Sequence, residues 1–345
     1  MSELHWPEVL ETLLSGRDLD EDRAAEVLAC IMRGQADPAQ IAGFLVALRA
    51  KGESAAEIAG MARAMMEHAA PIDVAGPLVD TCGTGGDRAG TFNISTVAAV
   101  VVGAAGVTVA KHGNRAASSR CGSADLLEAW GVVIDLPPQA VATTIRELGI
   151  GFLFARTFHP AMRHVAPVRA QLGVRTVFNV LGPLSNPAGA THQVVGVSDE
   201  RLAPLMAEAL ARLGRHHALV FRGADGLDEL TTTGISHVWE VRQGREVETW
   251  DLDPTTYGFE LVSEEALVGG DIPDNVAIAD AILDGEGGPP ADVVALNAGA
   301  ALYAADAVDD VQAGIERARE VIASGAAREL RDRWVARSQE LARGS

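Results

Sequence analysis

Cysteine and aromatic residues are scarce in this chain of 345 residues. The three cysteines, Cys30, Cys82 and Cys121, are odd in number, far apart and without a CxxC pair. Neither a disulfide framework nor a cysteine zinc site is therefore indicated, and a reducing cytoplasm is the expected location. Aromatic residues make up only 4% of the chain, and its five tryptophans are scattered, which argues against a surface for stacking bases.

Positive charge is also in short supply. The sequence has 28 lysines and arginines against 47 aspartates and glutamates, for a net charge of −19. Such a chain repels nucleic acid and anionic membrane surfaces at long range, so we expect neither as a partner. An anionic ligand would have to be held by a local positive site.

Long apolar runs are missing as well. The longest, residues 97–110, is too short and too rich in glycine to cross a bilayer, and it predicts a buried helix followed by a buried strand. The first residues, MSELHWPEVLE, are acidic and amphipathic and lack the basic and apolar layout of a signal peptide.

The first 72 residues have a helical pattern. Apolar side chains in residues 24–31 recur at i, i+3, i+4 and i+7, and residues 54–57 (SAAE) form a capping-box signature. We predict a small all-helical domain over residues 1–72, with a further helical contribution from about residues 160–190.

Short β-branched runs alternate with helical patterns after residue 73. The predicted strands are residues 77–80, 107–110, 193–197 and 216–221. Strands separated by helices indicate βαβ units and a mainly parallel sheet. Residues 236–250 alternate around a Gln-Gly turn and predict an edge hairpin. The predicted fold class is α/β: the helical domain plus a larger α/β domain, residues 73–345, with a mainly parallel central sheet.

Residues 79–96 (VDTCGTGGDRAGTFNIST) place three glycines, one aspartate and several hydroxyls between a predicted strand and a predicted helix. Ligands bind at this edge of parallel sheets, where glycines and a helix N-terminus expose N–H groups to phosphate. A tight turn with a helix cap is the alternative, but so dense a polar set favours ligand binding. The spacing matches neither G-x-G-x-x-G, whose last position falls on Arg88, nor a Walker loop.

Residues 111–125 (KHGNRAASSRCGSAD) follow the next predicted strand and so reach the same sheet edge. They supply Lys111, Arg115 and Arg120, with His112 as a further donor. A cationic cluster beside a glycine turn is suited to gripping a polyphosphate, although the segment alone would be interpreted as a solvated turn.

These two segments resemble those of anthranilate phosphoribosyltransferases. The similarity continues through residues 158–162 (FHPAM), 174–187 (VRTVFNVLGPLSNP) and 226–230 (GLDEL), and so covers nearly the whole chain. It implies a fold like that of nucleoside phosphorylases and phosphoribosyltransferases. It also implies transfer of phosphoribose from phosphoribosyl pyrophosphate to the amine of anthranilate in tryptophan biosynthesis, with Mg²⁺ as cofactor, in a homodimer formed through the helical domain. One departure is Arg88, where many members carry glycine.

The resemblance also implies site residues. For phosphoribosyl pyrophosphate they are Gly83, Gly86, Asp87, Thr91, Asn93, Ile94, Ser95, Thr96, Lys111, Ser119 and Ser123. For anthranilate they are Gly83, His112, Asn114 and Arg169, and for Mg²⁺ they are Ser95, Asp228 and Glu229. No acid or base catalyst is assigned, because an aromatic amine arrives unprotonated. Arg163 and Arg175 are interpreted as solvated.

Two other functions remain open at this point. A nucleoside phosphorylase would use inorganic phosphate at the same sugar carbon, and a regulatory protein would bind nucleotide without catalysis. The second is disfavoured, because the paired acids Asp228 and Glu229, the cationic cluster and Arg169 are all present. An isolated Asp-Glu pair in so acidic a chain would itself be interpreted as a solvated turn.

Overall fold

The computed structural model of the protein describes residues 4–116 and 120–344. The chain opens with four helices, α1 (Trp6–Leu14), α2 (Glu21–Met32), α3 (Pro38–Lys51) and α4 (Ala55–Glu67). The predicted capping box starts α4: the Ser54 hydroxyl accepts from the Glu57 N–H at 3.3 Å, and the Glu57 carboxylate accepts from the Ser54 N–H at 2.8 Å.

Seven strands form one sheet. They are β1 (Val79–Gly83), β2 (Val109–Gly113), β3 (Ile150–Phe154), β4 (His192–Gly196), β5 (His217–Gly223), β6 (Ser236–Arg242) and β7 (Glu248–Leu252). The order is β3-β2-β1-β4-β5-β6-β7; the first five are parallel, and β6 and β7 are antiparallel. The mainly parallel sheet and its edge hairpin are as predicted.

Helices connect and cover these strands. They are α5 (Ile94–Ala104), α6 (Ser123–Trp130), α7 (Pro138–Leu148), α8 (Ala155–Phe158), α9 (Ala166–Leu172), α10 (Phe178–Leu184), α11 (Ala203–Arg212), α12 (Ile272–Leu283), α13 (Pro289–Ala304), α14 (Val311–Ala323) and α15 (Ala326–Arg343). Short 3₁₀ turns occur at Pro160–His164, Pro254–Tyr257 and Glu264–Leu267. No helix of the described residues is long and apolar enough to cross a membrane.

Two large apolar cores lie on opposite faces of the sheet. One core contains α5 together with α13, α14 and α15. The other contains α1 to α4, α9, α10 and α11. The α/β fold with a small helical bundle is thus confirmed. The segment that carries α9 and α10 packs against α3 and α4, where a helical contribution was predicted, while the exact domain limits, residues 1–72 and 73–345, stay a prediction.

One strand was missed by the sequence analysis. Residues 150–154 (IGFLF) are buried without a break and pair with β2 from Ile150 opposite Val109 to Phe154 opposite Gly113. A buried strand has no alternation of polar and apolar residues, and five apolar residues do not distinguish a strand from a piece of helix.

Two glycines in the helical bundle should respond oppositely to alanine. At Gly60 in α4 a Cβ would overlap the carbonyl oxygen of Glu21, because α2 and α4 cross at that point. At Gly43 in α3 a Cβ would meet only Leu10, at an ordinary 3.6 Å. We expect Gly60→Ala to lower the free energy of unfolding by about 1–3 kcal/mol, through overpacking. Gly43→Ala should raise it by about 0.5–1 kcal/mol, through helix propensity. Denaturant titration of both variants measures this, and equal effects at the two positions would contradict the packing described.

Candidate active site

The carboxyl ends of three neighbouring parallel strands meet an acidic loop. Gly83 ends β1 opposite Gly196, which ends β4. A Cβ on Gly83 would press on the Asp228 carboxylate, and one on Gly196 would overlap the Asp228 main chain. Glycine at both strand ends therefore lets the loop after β5 come into direct contact with the sheet edge.

The loop of residues 83–90, called here the glycine loop, is built from left-handed residues. Gly85, Gly86 and Gly90 have φ of +64°, +84° and +68°. Arg88 also has a positive φ, +63°, which side chains other than glycine seldom adopt. Arg88 therefore adopts this conformation at a local cost of about 1 kcal/mol or more.

Gly85 is the best-anchored peptide of the glycine loop. Its N–H donates to Oδ2 of Asp228 at 2.6 Å. Its carbonyl oxygen accepts from the Ser198 hydroxyl at 2.9 Å and from both terminal nitrogens of Arg175 at 3.3 Å. The loop is therefore held on one side by the acidic loop after β5 and on the other by residues after β4 and α9.

Three carboxylates share this corner of the site. Burial, reinforced by the negative charge of Asp87, raises the pKa of Asp228 to about 7. Burial and the neighbouring Asp228 raise the pKa of Glu229 well above its usual range. Glu229 also accepts from the Ser95 N–H at 3.2 Å. Negative groups this close repel one another, so a cation bound here would stabilise all three.

The N-terminus of α5 faces these acids. Asn93 precedes the helix, and its amide donates to the Cys121 carbonyl at 3.1 Å, while its own carbonyl oxygen is buried without a partner among the described residues. The Thr96 hydroxyl donates to that of Ser123, at the start of α6, at 3.0 Å. The first turns of α5 and α6 therefore converge, and the positive ends of their helix dipoles favour an anion. The first four N–H groups of α5 already have acceptors, Glu229 for Ser95 and main-chain carbonyls for the others.

Lys111 is the one lysine or arginine of the second segment that is buried in the site. Its ammonium donates to the main-chain and side-chain oxygens of Thr81 and to the Ser95 hydroxyl at 3.3 Å. Burial lowers the pKa of Lys111, an effect opposed by the nearby Asp80. Asp80 is itself buried, which raises its pKa to about 6.

The rest of the expected cationic cluster does not converge on the glycine loop. Arg115 pairs with Asp125 at 2.9 Å and Glu128 at 2.8 Å, and Arg120 is exposed. Arg115 is thus neutralised by helix α6. The predicted ligand Ser119 lies outside the described residues.

The remaining predicted donor-site residues lie around the same strand end and helix start. The Asp87 carboxylate accepts from the Ala89 N–H at 3.2 Å, and Thr91 forms an isolated bridge with Val268. Ile94 is fully buried at the first position of α5. Gly86 has its Cα face covered by the Arg175 guanidinium. Asp87 and Thr91 therefore present polar groups near the loop, whereas Ile94 serves as packing.

His112 lies at the end of β2, beside helix α10. Its Nδ1 is 3.1 Å from the Gly182 carbonyl, and its ring centroid is 5.0 Å from that of His159. The Nε2 atoms of both histidines are buried without a hydrogen-bond partner among the described residues. Burial lowers the pKa of His112 to about 3 and that of His159 to about 4, so both rings are neutral at pH 7.

Arg169 is partly buried on α9, and its guanidinium lies over the Phe178 ring at 5.3 Å. Burial lowers the pKa of this guanidinium. No carboxylate among the described residues forms an ion pair with it. Asn114, just beyond β2, is exposed. Because Phe178 and Gly182 belong to the same helix, α10 connects Arg169 with His112.

Comparison with known proteins matches both parts of the fold. A family model described as the α/β domain of a glycosyl transferase family matches residues 75–328, and one described as its helical bundle domain matches residues 7–69. The anthranilate phosphoribosyltransferase of Roseiflexus castenholzii is 56% identical over 91% of this chain and 93% of its own length. The chain belongs to the anthranilate phosphoribosyltransferase family.

Two solved members of this family share the fold over nearly their whole length. The enzyme of Thermus thermophilus is 52% identical with a TM-score of 0.91, covering 96% of this chain and 99% of that chain. The Saccharomyces cerevisiae enzyme, solved in complex with PRPP and Mg, is 28% identical with a TM-score of 0.90, covering 98% of this chain and 99% of that chain.

Sequence reasoning missed two residues that shape this family site. Arg175 was interpreted as solvated, but it contacts Gly85 and Gly86. Asp80 accepts from the His112 N–H at 2.9 Å and from the Asn186 amide at 2.8 Å, and so fixes the end of β2. An acid within an apolar strand was a signal for Asp80, whereas no local pattern marked Arg175.

The buried histidine His159 should make the protein sensitive to acid. Its folded pKa of about 4 lies below the usual 6.5, so its contribution to stability is complete above pH 6.5 and is lost as the pH falls toward 4. In His159→Gln the fall in unfolding free energy between pH 7 and pH 4 should be smaller by about 1–3 kcal/mol. Denaturant titrations at several pH values measure the slope, with the exposed His5→Gln as control. An unchanged slope in a folded His159→Gln variant would contradict the assignment.

Proposed function

We propose that this protein transfers the 5-phosphoribosyl group of phosphoribosyl pyrophosphate to the amine of anthranilate. The products are N-(5-phosphoribosyl)anthranilate and pyrophosphate, as part of tryptophan biosynthesis. The observation that carries the proposal is the meeting of the glycine loop, the N-terminus of α5 and the acids after β5 at one sheet edge, with the unpaired Arg169 on the helical side. Family membership supports the same reaction.

The donor is assigned to the sheet edge. N–H groups of the glycine loop and the positive end of the α5 helix dipole would bind its phosphates, with hydroxyls from Ser95, Thr96 and Ser123 and the charge of Lys111 beside them. Asp87 is suited to accept from a ribose hydroxyl. The predicted ligands Gly83, Gly86, Thr91 and Asn93 lie around the same strand end and helix start, whereas Ile94 is buried in the packing. The roles of all of these residues, and that of Ser119, remain predictions.

Mg²⁺ fits the acidic corner. Among the described residues no group of three or more histidines, cysteines or acids is arranged as a complete metal site. Mg²⁺ is usually held by one or two carboxylates together with waters and substrate phosphates, and Asp228 and Glu229 provide such a partial site beside Ser95. When bound, Mg²⁺ would neutralise charge on the departing pyrophosphate.

The acceptor is assigned to the side formed by α9 and α10. The planar guanidinium of Arg169 can donate two hydrogen bonds to the carboxylate of anthranilate. The neutral rings of His112 and its neighbour leave an apolar wall suited to an aromatic ring, and Asn114 offers an amide at the rim. Gly83, the remaining predicted anthranilate contact, ends β1 directly against the Asp228 carboxylate.

The proposed reaction depends mainly on how the two substrates are positioned. The bond between ribose C1 and the pyrophosphate oxygen breaks, and the amine nitrogen bonds to C1. While the first bond is largely broken and the second is only partly formed, C1 has oxocarbenium character. The nucleophile is an uncharged aromatic amine, so no strong base is needed, and its excess proton is lost from the product. Lys111 and the N–H groups of the loop stabilise the leaving group, while Arg169 orients the amine.

We also propose that the protein forms a homodimer and is located in the cytoplasm. A homodimer through the helical domain is supported by the exposed apolar residues Leu14 and Val46, 70% and 49% accessible, on α1 and α3. A cytoplasmic location is supported by three cysteines that are all buried and form no disulfide among the described residues.

The reaction can be tested by following loss of anthranilate fluorescence on addition of phosphoribosyl pyrophosphate and Mg²⁺. Thermal shift distinguishes the alternative: the pyrophosphate donor with Mg²⁺ should raise the melting temperature, whereas thymidine or uridine with phosphate should not. Phosphorolysis of a nucleoside, with no turnover of anthranilate, would replace this proposal by the nucleoside phosphorylase.

Removing the acids should separate metal binding from folding. In the double variant Asp228→Asn, Glu229→Gln, activity should collapse and the Mg²⁺ concentration for half-maximal rate should rise at least tenfold. The melting temperature at pH 8 should hold or increase. Folding raises the pKa of both acids, so their ionisation as the pH rises destabilises the folded protein, and the two amides remove this effect. A folded double variant with the wild-type Mg²⁺ dependence would exclude these residues as metal ligands.

Arg169 should determine acceptor binding. Arg169→Ala removes a charge-assisted contact worth about 1.5–3 kcal/mol, so the KM for anthranilate should rise roughly tenfold to hundredfold. The KM for phosphoribosyl pyrophosphate should change little. Arg163→Ala is the matched control, because Arg163 is exposed on the neighbouring 3₁₀ turn. Equal loss of both substrates in Arg169→Ala would make Arg169 a structural residue.

A further inference from the structure

Arg175 makes an unusual contact with the main chain of the glycine loop. It lies between α9 and α10, is partly buried, and donates from both terminal nitrogens to the Gly85 carbonyl, each at 3.3 Å. The two residues are 90 positions apart in the chain. This contact joins the glycine loop to the segment that passes between the sheet and the helical bundle.

The guanidinium also occupies the space above the next residue. A Cβ built on Gly86 would overlap a terminal nitrogen of Arg175, so the planar group lies directly against this peptide. Gly85 and Gly86 are both left-handed, with φ of +64° and +84°, and a run of such glycines has little intrinsic preference for one shape. External contacts must select its conformation.

The charge of Arg175 is not committed to an ion pair. No carboxylate of the described residues is paired with it, and Asp199, the nearby acid that interacts with it electrostatically, is bound by Arg201 at 2.9 Å. In a chain with a net charge of −19, an arginine that donates to a carbonyl instead of a carboxylate indicates that the contact itself is useful.

The peptide unit that precedes this carbonyl, which carries the Gly85 N–H, faces the metal-site acid. The Gly85 N–H donates to Asp228 at 2.6 Å while its carbonyl receives Arg175 and Ser198. Because the peptide bond is planar, fixing the Gly85 carbonyl also fixes the direction of the Gly86 N–H, while the Gly85 N–H is held separately by Asp228. Arg175 therefore orients the Gly86 N–H through the shared peptide plane.

We propose that Arg175 is a positioning residue of the donor site, which holds the glycine loop in its ligand-binding shape from the helical side. The identity of the ligand rests on the proposed function, whereas the effect on the loop does not. Arg175 follows α9 by three residues, so the helix that carries the acceptor candidate Arg169 also supports the donor loop. Donor and acceptor sites therefore share one supporting segment.

The test uses the full-length protein and three variants. Arg175→Met keeps an unbranched side chain but removes the charge and the donors, Arg175→Lys retains the charge on a single donor nitrogen, and Arg163→Met is the matched control on an exposed residue. Hydrogen exchange of residues 78–92 is measured without ligand. The KM values for phosphoribosyl pyrophosphate and anthranilate, kcat and the melting temperature are then measured.

In Arg175→Met, exchange in the glycine loop should become at least fivefold faster without ligand, and the KM for phosphoribosyl pyrophosphate should rise about tenfold. The KM for anthranilate should stay within about twofold. Arg175→Lys should recover part of both effects, and Arg163→Met should match the wild type. The lysine variant also provides the test if Arg175→Met does not fold.

Two results would overturn the proposal. Unchanged loop exchange with a raised donor KM would mean that Arg175 contacts the ligand directly. A lowered melting temperature with wild-type exchange and KM values would make it an ordinary structural residue. If the wild type itself neither binds phosphoribosyl pyrophosphate nor consumes anthranilate, the proposed function fails, but the exchange measurement still decides whether Arg175 positions the loop.

Discussion

The close approach of the Asp228 loop to the ends of β1 and β4 is the contact on which the site depends. Side chains at Gly83 and Gly196 would hold this loop away from the sheet, and the hydrogen bond from Gly85 to the Asp228 carboxylate could not then form. That hydrogen bond links the metal-site candidates to the loop proposed to bind phosphate. Two absent side chains therefore bring the loops after β1 and β5 into one functional unit.

The close approach of the Asp228 loop also determines which charges meet in the site. Three acids lie together, and of the lysines and arginines in the second segment only Lys111 is buried beside them; Arg115 is neutralised by α6. Such a site does not attract a polyphosphate by side-chain charge alone. N–H groups of the glycine loop would have to contribute, and in the proposed reaction a divalent cation would accompany the ligand, because unscreened carboxylates would repel it. This explains how a chain of strongly negative net charge can accommodate a highly negative substrate.

The candidate residues for the two substrates belong to different parts of the fold. Helices α5, α13, α14 and α15 pack on one face, and the helical bundle with α9, α10 and α11 packs on the other. The donor candidates stand at the strand ends, while Arg169 and the wall of neutral histidines belong to the bundle side. Helices α9 and α10 connect the sheet to the bundle, so the acceptor side is attached to both of these parts. A shift of the bundle against the sheet would therefore alter the distance between the two substrates.

The amino-acid sequence by itself determined the fold class, since periodicity separates the helical bundle from the alternating strands and helices. It also pointed to the glycine loop, because that segment has a recognisable composition, whereas Asp228, Glu229 and Arg169 became candidates only through the family resemblance. It did not reveal β3, whose uniform burial removes the alternation that marks a strand, and it gave no sign that Arg115 would turn to α6. Arg175 was interpreted as solvated because its contact with Gly85 spans 90 residues and leaves no local pattern. Residue types and their spacing along the chain are set by sequence, but which side chains meet across the sheet edge is decided only when the strands are paired and the helices packed.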